Sequence, residues 1–483
     1  MSVSEQIKGR SSERSEIRNR PGLSSRVIAD FVSIADAVTI FTAGCVAHLF
    51  YFTFFATGSW QLSLTASFLG AVFSVALFRR QGLYALPRLI RWWERIGRLA
   101  ASWTLVFLSL ATLAFLVKVA DAYSRGWAII WFFVTLVMLL FVRAVIGTVL
   151  QHLARQGAVQ RHIAIVGCGE QARLLIDRLT AEGELVSIVG AYDLGPGWET
   201  SEPYSIPNQG TLDDLIEDVQ RQRVDDIILA LPRSDEQRIW RVAERLAELP
   251  VHVRLAPETF DIKSSQLRDE AVGAVRMSTL LTPPLSDWSR LVKAAEDRVL
   301  GAFFLLFMLP AMALIALAIK IDSSGPVFFV QRRHGFNHEI ILVLKFRTMS
   351  VQEDGQQVVQ AKRGDDRITR VGRFLRRTSL DELPQLINVT RGEMSLVGPR
   401  PHAVAHNVQY ASMINSYSKR HKVKPGITGW AQINGFRGET KELELMQKRI
   451  EHDLFYIEHW SLWMDLKIIL LTPFRGMIHP NAY

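Results

Sequence analysis

Long apolar runs dominate the first third of the chain. Four of them follow one another, at residues 32–56, 62–78, 99–119 and 127–150. Each run is close to the ~20 residues that a membrane-spanning helix needs, although the second is short. Four such runs in series argue against ordinary core helices. We therefore predict a bundle of four transmembrane helices over residues 26–155. The polar, Ser- and Arg-rich tail before it, residues 1–25, we expect to be disordered.

The segments that connect these runs differ in charge, and the difference indicates an orientation. The middle connection, 79–98, carries six arginines and one glutamate. The first, 57–61, has no charged residue, and the third, 120–126, has one Asp and one Arg. Because basic residues accumulate on the cytoplasmic side of a membrane, both ends of the bundle are predicted to face the cytosol.

After residue 156 the pattern changes to short apolar segments that alternate with helical stretches. The segments "HIAIVG", "LVSIVGAYD", "VDDIILALP" and "VHVRLA" read as strands. This alternation predicts a Rossmann-like parallel sheet over residues 156–275. Its first turn, with Gly167, Gly169 and Ala172, fits the pattern G-x-G-x-x-A, and Asp193 follows about 20 residues later. Such a turn could bind a dinucleotide, but it also serves tight packing of a strand against a helix.

A fifth apolar run covers residues 299–319 and has Pro310 at its centre. Proline removes a backbone hydrogen bond and kinks or breaks a helix. Basic residues flank the run on both sides, which favours two cytosolic ends. We therefore predict a re-entrant membrane helix over residues 298–320 with a break at Pro310. A straight fifth span is the alternative, because spanning helices tolerate proline.

Composition supports a protein that is partly membrane-embedded and partly cytosolic. Hydrophobic residues make up 49% of the 483 positions, and the net charge is +9. The positive charge favours anionic partners, such as lipid headgroups or phosphates. The two cysteines suggest neither a zinc site nor a disulfide framework. Near the C-terminus, "DLFYIEHWSLWMDLKIILLT" predicts an amphipathic helix at the membrane interface, with an ordinary core helix as the alternative.

The candidate chemistry lies in a third region, over residues 290–483, where Asp381 and Glu382 are adjacent. Seven basic residues precede them between Lys362 and Arg377, against only two acids. Ser379 and Glu382 have the spacing of a capping box, or Asp381 itself could cap a helix with Pro384 in its first turn. Either arrangement puts both acids at a helix N-terminus. The simplest interpretation is that they only cap this helix and pair with neighbouring arginines.

Other polar residues favour a catalytic role for the two acids over simple capping. Lys345 and Arg347 end a predicted strand, and Arg400 is stiffened between two prolines. A Gly-rich stretch adds four more: Lys424, Trp430, Gln432 and Arg437. Cations around two acids suit phosphoryl transfer from a pyrophosphate, with one acid holding Mg²⁺ and the other acting as the nucleophile.

Four stretches carry a resemblance to a known family: "KIDSSGPVFFVQRRHG", "LKFRTM", "RRTSLDELPQLINVTRGEMSLVGPRP" and "KPGITGWAQINGFRG". They look like the bacterial polyprenyl-phosphate sugar-1-phosphate transferases. The four apolar runs and the Rossmann-like region match the long subclass of that family. The whole chain is most similar to the members that start exopolysaccharides with glucose 1-phosphate.

The resemblance implies a mechanism and a role for individual residues. Asp381 would attack the sugar-bearing phosphate of UDP-glucose, or of UDP-galactose as the alternative donor. UMP would leave, and undecaprenyl phosphate would take the phosphosugar from Asp381. Glu382 would hold Mg²⁺, and five residues would surround the substrate: Lys345, Arg347, Arg376, Arg400 and Gln432. The resemblance also implies a bacterial inner-membrane location with a cytosolic catalytic domain, contact with membrane lipids and a possible homodimer.

Two other functions compete with this one. A membrane-anchored regulator that binds anions or nucleic acid is compatible with the basic stretch 362–377. However, the chain lacks a recognised nucleic-acid motif, and aromatic residues do not alternate with the basic ones. We therefore expect no nucleic-acid partner. An NAD-dependent oxidoreductase ranks last, because the region 156–275 lacks an evident catalytic Tyr/Lys or Cys/His set.

Overall fold

The structure is a computed structural model. It describes residues 24–55, 59–181, 185–195, 208–221, 223–232, 234–257, 269–272, 275–350, 365, 367–402, 407, 410, 413–414, 416–436 and 443–476. The chain forms two compact units. The first consists largely of the N-terminal helices, and the second largely of the sheet and the elements that follow it. Arg437, predicted near the substrate, lies outside the described residues.

The N-terminal unit consists of long apolar helices, as predicted. They are α1 (Ser25–Phe54), α2 (Trp60–Arg80), the short α3 (Leu86–Ile90), α4 (Ile96–Leu116) and α5 (Arg125–Arg155). By length and composition, four of these helices could cross a membrane, α4 together with the helical turn Trp92–Arg95 before it. The structure confirms a helical, apolar N-terminal region, whereas the number of actual crossings stays a prediction.

Small residues and a few buried polar bonds hold α1, α2 and α5 together. A Cβ atom added at Gly44 would lie 1.9 Å from the hydroxyl oxygen of Ser67, so the two helices approach closely at this point. The indole N–H of Trp127 donates to the Gly44 carbonyl at 3.2 Å. Asp36 and Arg143, both buried, form an ion pair at 2.6 Å. These contacts favour a packing role for the polar residues within the apolar runs.

A six-stranded sheet follows, with the strand order β2-β1-β3-β4-β6-β5. Its strands are β1 (Arg161–Val166), β2 (Val186–Tyr192), β3 (Asp226–Leu229), β4 (His252–Leu255), β5 (Asp269–Val272) and β6 (Val275–Leu281). Helices α6 (Glu170–Ala181), α7 (Leu212–Arg221) and α8 (Glu236–Leu246) alternate with the first strands. The pairs β1–β3 and β3–β4 are parallel, which agrees with the predicted parallel-sheet domain. However, β6 pairs antiparallel with β4 and extends the sheet to Leu281, beyond the boundary predicted at residue 275.

The glycine turn after β1 has a packing reason that requires no ligand. Gly167 has φ of 113°, and a Cβ atom there would lie 2.6 Å from the Ala230 carbonyl oxygen. Ala172 is fully buried, and Asp193 is buried just after β2. The close approach of two parallel strands therefore accounts for the first glycine. A bound dinucleotide stays a hypothesis.

The fifth apolar run forms part of one 36-residue helix, α9 (Asp287–Asp322). The helix starts eleven residues before the predicted 298, because its first three turns are polar and hydropathy alone does not detect them. Ser286 and Ser289 form a capping box at its start. Residues on both sides of Pro310 belong to this helix, so the structure shows no interruption there. It does not confirm the re-entrant hairpin, which stays a prediction.

The remaining elements pack around α9. Strands β7 (Phe328–His334) and β8 (Ile340–Phe346) form an antiparallel pair, and β9 (Ser395–Val397) pairs in parallel with β10 (Gly426–Thr428). The helices are α10 (Arg370–Thr378), α11 (Gln385–Arg391), α12 (Trp430–Ile433), α13 (Leu443–Glu458) and α14 (Leu462–Leu471). The absence of a side chain at Gly301 lets α9 approach α11, because a Cβ atom there would lie 2.9 Å from Val389.

The C-terminal segment is two helices, not the single amphipathic helix that its sequence predicts. The break falls at His459–Ser461, where the Ser461 hydroxyl caps α14. Tyr456 is buried and donates to Asp465, and so does the indole of Trp460. By contrast, the Trp463 side chain is 76% exposed. The burial of Tyr456 and the half-buried, hydrogen-bonded Trp460 indicate a core role for this part of the segment.

Candidate active site

The adjacent acids lie in a tight turn between two helices. Helix α10 ends at Thr378, and Ser379 takes a left-handed conformation with φ of 57°. A single 3₁₀ turn, Leu380–Glu382, follows, and α11 begins after Pro384. The predicted capping box is therefore wrong, because Ser379 terminates the preceding helix and its side chain makes no capping hydrogen bond to the 3₁₀ turn that follows. Neither acid caps α11, since the N-cap position belongs to Pro384.

Glu382 is held by two cations from different parts of the chain. Its Oε1 accepts hydrogen bonds from Lys345 Nζ at 2.9 Å and Arg400 Nη2 at 2.5 Å, and its Oε2 accepts from Arg400 Nη1 at 2.9 Å. The bond to Arg400 is bidentate, the strong geometry for a guanidinium and a carboxylate. Burial acts to raise the pKa of Glu382, but Arg400 and Lys345 outweigh it and hold that pKa well below its usual value. Glu382 is therefore a fixed anion.

Asp381 has a different environment from its neighbour. It is half-buried, and within the described part of the chain no hydrogen bond reaches its carboxylate oxygens. Burial and the adjacent charge of Glu382 raise the pKa of Asp381 to about 6, although Lys345, Arg376 and Arg400 oppose the shift. A carboxylate that is ionised at neutral pH and has unbonded oxygens is suited to nucleophilic attack.

Arg376 supplies an unused donor beside this carboxylate. It lies two residues before the end of α10, and its positive charge acts to lower the pKa of Asp381. Its Nη1 is buried with no hydrogen-bond partner among the described residues. A buried, unpaired guanidinium nitrogen costs free energy unless a ligand satisfies it. An incoming phosphate oxygen would be such a ligand.

The structure thus brings together five residues that the sequence singled out: Lys345, Arg376, Asp381, Glu382 and Arg400. Two further predicted residues have other neighbours. Arg347 donates to the carbonyl and hydroxyl oxygens of Ser323 at 2.7 and 2.8 Å, and so fixes the turn that follows α9. Gln432 lies in α12, where its Nε2 donates to the Ile427 carbonyl at 3.4 Å. Its Oε1 is buried without a partner in the described structure.

Sequence comparison places the chain among known proteins. A family model described as Bacterial sugar transferase matches residues 288–479, and one described as CoA-binding domain matches residues 79–257. Several relatives carry the name UDP-glucose:undecaprenyl-phosphate glucose-1-phosphate transferase, among them the three that follow. The one from Xanthomonas campestris pv. campestris is 37% identical, with 94% of this chain and 95% of the relative covered. This chain belongs to the bacterial sugar transferase family. The relative from Escherichia coli (strain K12) is 40% identical over 86% of this chain and 89% of its own, and that from Klebsiella pneumoniae is 40% identical over 79% and 82%.

Behind the acid pair of this bacterial sugar transferase lies a second buried layer that the sequence analysis missed. Arg420 Nη2 donates to the Arg400 carbonyl at 2.7 Å and to Asp453 Oδ2 at 2.9 Å. Arg420 and Asp453 are both nearly inaccessible. Arg420 thereby fixes the backbone of the residue that clamps Glu382. No local motif marks this layer, because its members come from separate segments.

Asp381 and Glu382 are the candidate ligands for a metal ion in this sugar transferase. Among the described residues, no group of three or more His, Cys, Asp or Glu side chains could hold a metal ion. However, Mg²⁺ usually takes one or two protein carboxylates and completes its shell with water and substrate phosphates. Two adjacent acids fit that requirement. Both oxygens of Glu382 already accept bonds from cations, so an ion held there would have to displace part of that bonding.

Proposed function

We propose that the protein transfers glucose 1-phosphate from UDP-glucose to undecaprenyl phosphate and releases UMP, as the first membrane step of exopolysaccharide synthesis. The names of the similar relatives support the donor and the acceptor. The observation that carries the chemistry is the difference between the two acids. Glu382 is held by Lys345 and Arg400, whereas among the described residues Asp381 accepts no hydrogen bond and the neighbouring Arg376 Nη1 has no partner.

In the first half-reaction, a carboxylate oxygen of Asp381 attacks the phosphorus that bears the sugar. A new bond forms between this oxygen and phosphorus, and the bond from phosphorus to the bridging oxygen of the diphosphate breaks. UMP leaves with that electron pair, and a glucose phosphate stays on Asp381. Because the attacking group is an anion, this step requires no general base.

In the second half-reaction, an oxygen of undecaprenyl phosphate attacks the same phosphorus. The bond to Asp381 breaks, and the carboxylate returns to its ionised form. Lys345, Arg376 and Arg400 stabilise the negative charge on the phosphate oxygens during both steps. Glu382 keeps Lys345 and Arg400 in position and balances their charge until the donor binds. Substrate binding is also proposed for Arg347, which follows β8, and for Gln432 of α12.

We also propose Mg²⁺ as the cofactor, held by Glu382 together with phosphate oxygens of the donor. For this, Glu382 must exchange part of its bonding with Lys345 or Arg400, which the donor phosphates would then engage. The ion would supply positive charge next to the leaving UMP. Asp381 remains free for attack in this arrangement.

The topology that suits this function has both ends of α9 on the cytosolic side of a bacterial inner membrane. UDP-sugars are cytosolic, so a spanning α9 would separate the acids from their donor. The basic residues on both flanks and Pro310 support the re-entrant alternative. Single cysteines at positions 286 and 324, with Cys45 and Cys168 replaced by Ser, would decide it. Labelling of only one of them by an impermeant maleimide from the cytosolic side would show a spanning helix instead.

The function is tested by incubating the purified protein with Mg²⁺ and either UDP-glucose or UDP-galactose, without lipid acceptor. We expect UDP-glucose to add the mass of one hexose phosphate to the protein, on the peptide that contains Asp381. Undecaprenyl phosphate should then remove the adduct and give the lipid-linked sugar. Turnover without any adduct would refute the covalent intermediate, and preference for UDP-galactose would correct the donor.

A further inference from the structure

A groove of about 460 Å³ lies between helices α9 and α10. Its walls are Leu314, Ile315 and Ala318 from α9 and Arg370, Val371, Phe374 and Leu375 from α10. All but Arg370 are apolar. The first three belong to the helix that is long and apolar enough to enter a membrane. The groove therefore connects an apolar helix surface to a helix of the catalytic domain.

Helix α10 has the character of an interfacial helix. Its apolar residues recur at 371, 374 and 375, so they share the face that lines the groove. Three arginines on this helix are exposed, Arg370, Arg373 and Arg377. The Phe374 side chain is 61% exposed although it is fully apolar. Arginines next to an exposed apolar face suit the boundary between anionic headgroups and acyl chains.

The apolar lining of the groove is continuous with the packing of the acid turn. Leu375 lines it, and the next residue is Arg376, whose Nη1 is buried and unpartnered within the described chain. Leu375 also belongs to an apolar cluster with Met312 and Ile319 of α9, against which Leu383 of the acid turn packs. Arg376, the residue after the groove-lining Leu375, thus supplies a donor that can take a phosphate oxygen.

We propose that this groove binds the isoprenoid chain of the lipid acceptor and that Arg376 receives its phosphate. This inference rests on the proposed function and assigns the acceptor's place within it. Two features favour this occupant: a polyprenyl phosphate has one anionic end and a long apolar tail, and the site has one cationic end and an apolar trough. UDP-glucose, which is polar throughout, has no group for the trough.

The length of the groove limits how much of the chain it holds. Leu314 and Ala318 are one helical turn apart, or roughly 6 Å along α9. A trough of this length holds only the isoprene units next to the phosphate. The rest of the chain extends into the membrane. Short and long polyprenyl phosphates should therefore depend on the groove to a similar degree.

The test fills the groove with Ala318→Trp and uses Ala313→Trp as the matched control. Ala313 is exposed on the same helix, roughly 140° around the axis from Ala318. Two quantities are measured in nanodiscs: the exchange of labelled UMP into UDP-glucose without acceptor, and KM for undecaprenyl phosphate and farnesyl phosphate. We expect Ala318→Trp to raise both KM values about tenfold or more, because the proximal isoprene units lose their apolar contact. Exchange should stay within about twofold, and Ala313→Trp should change neither.

The outcomes separate this inference from the proposed function. If Ala318→Trp leaves KM for both acceptors unchanged, or if Ala313→Trp raises it equally, the groove does not bind the acceptor. If added phosphatidylglycerol competes with undecaprenyl phosphate in the wild type but not in Ala318→Trp, the groove is a general phospholipid site and the inference fails. Absence of UMP exchange in the wild type would contradict the covalent mechanism, whereas the ratio of KM values would still decide the groove. Ala318→Leu, a smaller change with the same expected direction, replaces Ala318→Trp if the latter does not fold.

Discussion

Two buried pairs of an acid and an arginine stand in different parts of the molecule. In the sheet, Arg254 of β4 donates its Nε to Asp226 of β3 at 2.6 Å and its Nη1 to Thr279 at 3.1 Å. Both members of the pair are at most 1% exposed. In the catalytic domain, Arg400 binds Glu382, but here a second acid and further cations surround the pair. In the described structure the Asp226 carboxylate accepts from Arg254, whereas Asp381 beside the catalytic pair accepts no hydrogen bond.

The difference shows what separates a structural ion pair from a reactive site. The sheet pair balances one positive charge with one negative charge. The acid turn instead collects three cations, Lys345, Arg376 and Arg400, around two acids, and leaves Asp381 and one nitrogen of Arg376 without hydrogen bonds in the described structure. We propose that an anionic phosphate satisfies this surplus of positive charge when it binds. Mutations that act differently on the two pairs test this interpretation.

Replacing Asp381 by Asn should have the largest effect on activity. The amide is a poor nucleophile, so UMP release should fall about 10³-fold or more. The same change removes a charge that is costly to bury, because the pKa of Asp381 in the folded protein is raised to about 6. The melting temperature at pH 8 should therefore rise. This gain should shrink as the pH falls below 6 and be largely lost near pH 3, below the ordinary pKa of 3.8, where the wild-type carboxyl is mostly protonated in both states.

Scanning calorimetry and a UMP assay on the same Asp381→Asn preparation check both parts of this prediction. Asp381→Glu is the matched control, because it keeps the charge but moves the carboxylate. Wild-type activity in Asp381→Asn would mean that the acid turn is only structural.

Replacing Asp226 by Asn should damage stability rather than chemistry. It removes the carboxylate that Arg254 Nε binds at 2.6 Å, and breaking a buried ion pair costs about 3–5 kcal/mol. The double variant Asp226→Leu/Arg254→Met removes both charges and should recover most of that loss. Protease susceptibility of the sheet measures the effect. If the rate of UMP release per folded molecule of Asp226→Asn were much lower than that of the wild type, the sheet pair would have a role in catalysis.

Replacing Arg400 by Lys should have an intermediate effect. Charge is kept, but the two parallel bonds to Glu382 become one. We expect kcat to fall about 10- to 100-fold, with a smaller loss for Lys345→Arg, which keeps a single donor in reach. Steady-state kinetics with UDP-glucose give both values. An equal loss for the two variants would show that net charge, and not bidentate geometry, matters at Glu382.

Sequence patterns could predict the parts of this protein that depend on local order. The apolar runs, the parallel strands and the strand that carries Lys345 all follow from periodicity over a few residues. The turn around Asp381 did not, because Ser379 fits an N-cap by spacing and only the packing of α10 shows it to be a left-handed terminator. Sequence patterns could not predict the second layer at Arg420 either, because its partners Arg400 and Asp453 come together only in the tertiary fold.

The smallest effect, and the one that most sharply compares the two acids, is the pH dependence. Asp381 must be ionised to attack, and its pKa is about 6 because of burial and the charge of Glu382. The rate of UMP exchange should therefore be constant above pH 7 and fall about tenfold per unit below pH 6. Glu382 adds no inflection in this range, since its pKa lies well below the usual value.

The variant Glu382→Gln sharpens this prediction. It removes the negative charge that raises the pKa of Asp381 and frees Lys345 and Arg400 to lower that pKa. The residual exchange activity should consequently show its inflection below pH 6, even though the maximal rate is reduced. The pH profile of labelled UMP exchange measures the shift independently of that rate. An inflection that stays in place would mean that a group other than Asp381 titrates, because only a neighbour of Glu382 can respond to the loss of its charge.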